Sequence, residues 1–132
     1  MIRSKYLVVT NNPLVKEKYE NFLNIMFFPS SKINVLSSVR TLVLKGYQAL
    51  NDPSSSCFEI RDNPFSTVVL SNEKNNNVDL ISLGLIEKMI NLWQFRNGQG
   101  NPGDKAMHDF QLLEMSRVEI CIIQTCLNDY SH

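Results

Sequence analysis

The stretch "KYLVVTNNP", residues 5–13, limits what this chain can fold into more than any other part of it. Its apolar run is rich in branched side chains and suits a buried strand. The run stops at Thr10, two asparagines follow, and Pro13 stands where a helix would start. Beyond it Val15, Tyr19, Phe22, Leu23 and Met26 recur at helical spacing, with Lys16, Glu17, Lys18 and Glu20 between them. A strand that turns directly into an amphipathic helix is half of a β-α-β unit, so the same alternation is sought further along.

It recurs, with less definition. Residues 33–36, "INVL", read as a second strand, and Val39, Leu42, Val43, Tyr47 and Leu50 mark one face of a second helix over 37–50. Residues 51–65, "NDPSSSCFEIRDNPF", hold two prolines and three consecutive serines and read as a long loop, with room for a brief strand at 58–60. "STVVLS", 66–71, is a third strand. Leu83, Ile86, Ile90 and Trp93 trace a third helix within 78–96, with Asp79 as its cap.

The breaker-rich "NGQGNPGD" over 97–104 has two glycines at phosphate-loop spacing, but Asp104 and Lys105 stand where Lys and Ser/Thr are needed. In the last third, "SRVE" at 116–119 is a capping box before an apolar run. It predicts a short helix over 105–108, a fourth strand over 110–115 and a final helix over 117–129.

Four apolar strands alternating with amphipathic helices predict a single α/β domain spanning residues 1–132. The expected architecture is a small doubly wound, Rossmann-like three-layer sandwich with a mostly parallel sheet, strands ordered 2-1-3-4. Ligands in such sheets gather beyond the C-terminal strand ends, at the switch point between strands 1 and 3. The expected small-ligand site is therefore Thr10, Asn11 and Asn12 with Ser71 and Asn72 after strand 3, and Arg117 after strand 4. Lys74 and Ser116 lie close by. Asn12 has a second reading as the helix cap. Asn11, beside the free amides of a helix start, is a candidate for an anion.

Because the long loop enters strand 3, it is expected at the opposite edge from the asparagines. Its residues Asp52, Pro53, Cys57, Arg61 and Pro64 are a candidate interaction surface.

Charge and cysteine content narrow the classes further. Thirteen basic residues balance thirteen acidic ones, which disfavours nucleic acid or a membrane surface as a bulk electrostatic partner. No run is long enough to span a membrane and the start lacks a signal-peptide pattern, so the cytoplasm is the expected location. Cys57, Cys121 and Cys126 include no CxxC pair, so neither a disulfide framework nor a metal site is expected. His108 beside Asp109 could poise a base, though no nucleophile stands near it in sequence. No cofactor motif emerges.

"YLVVTNNPLVKEKY", "VRTLVLKGYQAL", "NPFSTVVLS", "LGLIEKMI" and "DFQLLEMSRVE" together resemble, in this order, the GrdX family: small proteins encoded beside glycine, sarcosine and betaine reductase systems of anaerobic bacteria. The most specific pieces are "VTNNP" and the Lys-Gly pair followed by the proline-bearing loop. Tyr47 and Asp52 stand where family members often carry histidine, a departure that bears on any activity centred on the loop. The resemblance implies no reaction. It implies an accessory role in amino-acid reduction, with reductase-complex proteins or a small anionic metabolite as partner.

Overall fold

In a computed structural model that describes residues 6–29, 31–49, 63–74, 77–96 and 103–130, the opening apolar run is strand β1, Tyr6–Thr10. Helix α1, Pro13–Tyr19, starts as the sequence implies, with Asn12 extended and its side chain accepting from the Leu14 amide. It lasts only two turns. Phe22, expected on its buried face, is 74% exposed, and the chain instead forms β2, Asn24–Phe27, parallel to β1.

Residues 33–36 are not a strand. Ser31 caps a helix by accepting from the Asn34 amide, and α2 runs Lys32–Leu44. Lys32, Val35, Leu36, Val39 and Val43 are its buried side chains, one continuous helical face that begins a turn and a half before the expected start. Gly46 then takes φ 105°, a conformation that L side chains rarely adopt, and reverses the chain into β3, Tyr47–Ala49.

Strand β4, Thr67–Lys74, lies between β1 and β3 and runs antiparallel to both. The sheet order is β2-β1-β4-β3, with one parallel pair. This overturns the expected mostly parallel, Rossmann-like arrangement ordered 2-1-3-4. The fold is α/β, but its sheet is mixed: β4 runs antiparallel to both of its neighbours, and only β1 and β2 pair in parallel.

Helix α3 is Leu80–Arg96, capped by Asp79, whose carboxylate accepts from the Ser82 amide and hydroxyl. Helix α4 is Asp104–Tyr130 and runs straight through both the expected fourth strand and the capping box. Glu114, Met115 and Val118 are buried while Ser116 and Arg117 are exposed, which is helical and not alternating burial. The capping signal at Ser116 goes unused.

Side chains alternate cleanly across the sheet. Val9, Val68 and Leu70 pack with Val35, Leu36, Val39 and Val43 of α2 and Ile86 and Ile90 of α3. Tyr6, Val8 and Val69 pack on the other face with Val15 and Tyr19 of α1 and Met115 and Val118 of α4. Thr10 and Thr67 are cross-strand partners at the end of that second face. Among the described residues no helix is long and apolar enough to cross a membrane.

Candidate functional site, a buried polar edge

The C-terminal end of β1 meets the N-terminal end of β4, because the two strands are antiparallel. That pairing decides which polar residues gather. Thr10 Oγ1 lies 2.7 Å from Thr67 Oγ1, and Thr67 Oγ1 donates to Glu114 Oε1 at 2.7 Å. Since the Thr67 proton goes to the carboxylate, the Thr10 hydroxyl donates to Thr67 and accepts from the Asn12 amide at 3.0 Å. The result is a one-directional chain from the Asn12 N–H through two hydroxyls to a carboxylate.

Three asparagines fasten this edge, each using both ends of its amide. Asn11 Nδ2 donates to the Pro64 carbonyl at 2.9 Å and Asn11 Oδ1 accepts from the Ser66 amide at 2.8 Å. Asn12 Oδ1 caps α1 through Leu14, while its Nδ2 donates to the Gln111 carbonyl at 3.1 Å and to Glu114 Oε1 at 3.3 Å. Asn63 Oδ1 accepts from the Phe65 amide at 2.9 Å and Nδ2 donates to the Phe110 carbonyl at 3.0 Å. An ionised Asp could not do this, since each clamp needs a donor and an acceptor at the two separate ends of one short side chain. The opening pair thus has a structural assignment: Asn12 joins α1 to α4, and Asn11 joins β1 to the segment that enters β4.

Two charged groups complete the cluster. Lys32 is 5% exposed; its Nζ donates to the Asn63 carbonyl at 2.7 Å and sits 4.8 Å from the Trp93 ring centre. Burial pulls its pKa down to about 8, opposed by the charge of Glu114. Glu114 is 1% exposed, and burial pushes its carboxyl up to about 7 against the hydrogen bonds from Thr67 and Asn12 and the charge of Lys32. Its Oε2 has no hydrogen-bond partner among the described residues.

The expected site is only partly assembled. Thr10, Asn11 and Asn12 come together, buried at 0, 2 and 0% exposure. Ser71 pairs with Tyr6 at the far end of β1, four residues along β4 from Thr67 and so roughly 13 Å away at ordinary strand rise. Asn72 lies beyond it in β4, and its side chain is outside the described set. Arg117 is an exposed residue of α4, since the strand expected to place it does not exist. Tyr47, the departure after Lys-Gly, begins β3 opposite Lys74, whose ammonium lies 5.6 Å from its ring centre.

Of the loop candidates, Asp52, Pro53, Cys57 and Arg61 fall outside the described residues, and Pro64 is half-buried with its carbonyl held by Asn11. The loop's return is not at the opposite edge. Asn63 to Ser66 lie against the asparagine junction, and β3 runs toward the same edge, as the Ala49 to Leu70 pairing shows.

Sequence reasoning missed Lys32, Asn63, Thr67 and Glu114. A signal for Glu114 was present: a lone carboxylate among Leu112, Leu113 and Met115, sharing a helical face with Gln111 and Val118. Asn63, directly before a proline, carries the signature of a side chain that bonds the backbone two residues on.

Among curated proteins no relative matches the chain, and no solved structure matches its fold. A family model described as GrdX-like protein matches residues 7–123. That span holds every element from β1 to most of α4, including all three clamping asparagines, Lys32, Thr67 and Glu114, and the chain accordingly belongs to the GrdX-like family.

Proposed function

We propose that this protein is a non-catalytic accessory protein of glycine reductase-type systems, working in the cytoplasm by contact with a protein component of such a complex through the loop over residues 51–65. The family membership supplies the system. The observation that carries the mode of action is the saturation of the asparagine junction: both ends of the Asn11, Asn12 and Asn63 amides are used in binding the chain to itself. A ligand seated on Thr10, Asn11 and Asn12 would have to displace bonds that hold β1, β4 and α4 together. The same bonds favour a different use of this edge. They fix Asn63 to Ser66, just after the segment that carries Asp52, Cys57 and Arg61, and so supply a firm base for a contact surface.

The test is binding of the purified chain to purified components of glycine, sarcosine and betaine reductases, measured by biolayer interferometry. Saturable capture of one component, weakened at least tenfold in the Asp52→Ala, Cys57→Ala, Arg61→Ala triple variant, is the expected result. The rival reading, a sensor of small anions, is tested in parallel by thermal shift with glycine, betaine, acetyl phosphate, phosphate and nucleotides. A rise of several degrees with one of them, lost in Asn11→Ala, together with no capture of any component, would replace the accessory reading with the sensor.

A further inference from the structure

Glu114 is a buried acid that the proposed contact surface does not use. It sits at the convergence of the polar bonds that dock α4. The helix is held to the sheet edge through the Phe110 carbonyl by Asn63, through the Gln111 carbonyl by Asn12, and through Glu114 Oε1 by Thr67 and Asn12. Apolar contact adds to these only at Met115 and Val118 among its described side chains.

Thr67 and Asn12 both donate to Oε1, and among the described residues Oε2 has no hydrogen-bond partner in a site that is 1% exposed. Ionisation therefore places charge on a buried carboxylate, one oxygen of which has no donor among the described residues. Protonation at Oε2 removes that charge and leaves Oε1 as a carbonyl oxygen that still accepts from Thr67 and Asn12.

Among the described residues the charged groups around it are few. From α2, Lys32 acts on Glu114 through its field, with its ammonium on the Asn63 carbonyl and over Trp93 of α3. From β1 and β4 the facing groups are the neutral hydroxyls of Thr10 and Thr67. On α1, Lys16 pairs with Glu20, Lys18 pairs with Glu119 of α4, and Glu17 is exposed. On α4 itself His108, Asp109 and Arg117 are exposed.

We infer that Glu114 is a proton-operated latch: as the neutral acid it holds the N-terminal half of α4 and the Asn63–Thr67 segment on the sheet edge, and on releasing its proton to solvent it loosens both. Neither the accessory nor the sensor reading is required for this. Because burial raises the carboxyl from 4.5 to about 7, the closed form is favoured at lower pH, and the hold weakens as pH rises through neutrality.

Hydrogen exchange of the full chain between pH 5.5 and 8.5, corrected for the intrinsic rate at each pH, tests the latch. The amides of residues 105–118 and 65–67 should lose tenfold or more of their protection across that range, while those of 35–43 in α2 hold steady. Glu114→Gln, which cannot ionise, should keep residues 105–118 protected throughout. Equal loss in α2 and α4, or the same loss in Glu114→Gln, would overturn the latch. Carbon-13 titration of the Glu114 carboxyl in the unaltered chain reads the same point without any variant. A midpoint near 7 supports the latch, and one near the ordinary 4.5 overturns it.

Discussion

The two faces of the sheet are covered in different ways. Under α2 and α3 the strand side chains from Ala49 and Leu70 to Val9 and Val68 meet apolar side chains, and the buried charge of α2, Lys32, is turned to the Asn63 carbonyl and the Trp93 ring. Under α1 and α4 it is apolar only as far as Val8 and Val69; the next cross-strand pair is Thr10 and Thr67, and the helix side chain above it is a carboxylic acid. Apolar cover is indifferent to pH and gains with area. Polar cover is conditional, because every donor must keep its acceptor and the acid must keep its proton state. One face is a permanent join and the other is an adjustable one.

The largest expected effect belongs to the apolar face. Leu36 is fully buried against the sheet, so Leu36→Ala should cost about 3 to 4 kcal/mol in urea unfolding, by the same amount at pH 5 and pH 8. A cost that changed with pH would break the distinction between the faces.

Glu114 should show the reverse behaviour. Its folded carboxyl is raised from 4.5 to about 7, so the folded state keeps a proton that the unfolded chain gives up; its contribution is complete below about pH 4.5 and falls as pH rises to about 7. The loss is roughly 3 kcal/mol, at 1.36 kcal/mol per unit. The difference in unfolding free energy between the unaltered chain and Glu114→Gln, followed from pH 4.5 to 8, isolates this part from all other titrations. A flat difference would place Glu114 with the permanent join.

Asn11→Asp keeps the shape of the side chain and its acceptor but removes the donor to the Pro64 carbonyl and adds a buried charge. About 2 kcal/mol is expected, with partial recovery at low pH where the new acid is neutral. Full stability at neutral pH would show that the amide is not a clamp. The smallest effect should come from outside both faces. Lys16 and Glu20 pair at 2.9 Å on the exposed side of α1, and Lys16→Ala should change the unfolding free energy by less than about 0.5 kcal/mol.

What could be read from the sequence follows the same division. β1, its stop at Thr10, Asn12 as cap, Pro13 at the first turn, the strand after Phe65 and the Asp79 cap all rest on local chemistry, and local chemistry is written in neighbouring residues. β2 and β3 escaped because they are four- and three-residue edge strands. In so short a run, apolar side chains fit a helix as readily as a strand. The single helix α4 was hidden by a capping box whose serine is exposed and unused, since burial of Glu114, Met115 and Val118 decides the matter through contacts with β1, β4 and α1. Once those strands are antiparallel, the N-terminal end of β4 arrives where a parallel sheet would have brought a C-terminal one. The candidate site therefore contains Thr67 and Asn63 in place of Ser71 and Asn72.

The clamping amides also bear on how the molecule ages. Spontaneous conversion of asparagine to aspartate proceeds when the next residue's backbone nitrogen, losing its proton, attacks the side-chain amide and closes a five-membered ring. Asn12 and Asn63 are each followed by proline, whose nitrogen has no proton to lose. Asn11 is followed by Asn12, whose N–H is already committed to the Thr10 hydroxyl at 3.0 Å. The three amides on which the adjustable join depends are therefore shielded from that decay by the residues after them, so the edge should keep its donors over the working life of the protein.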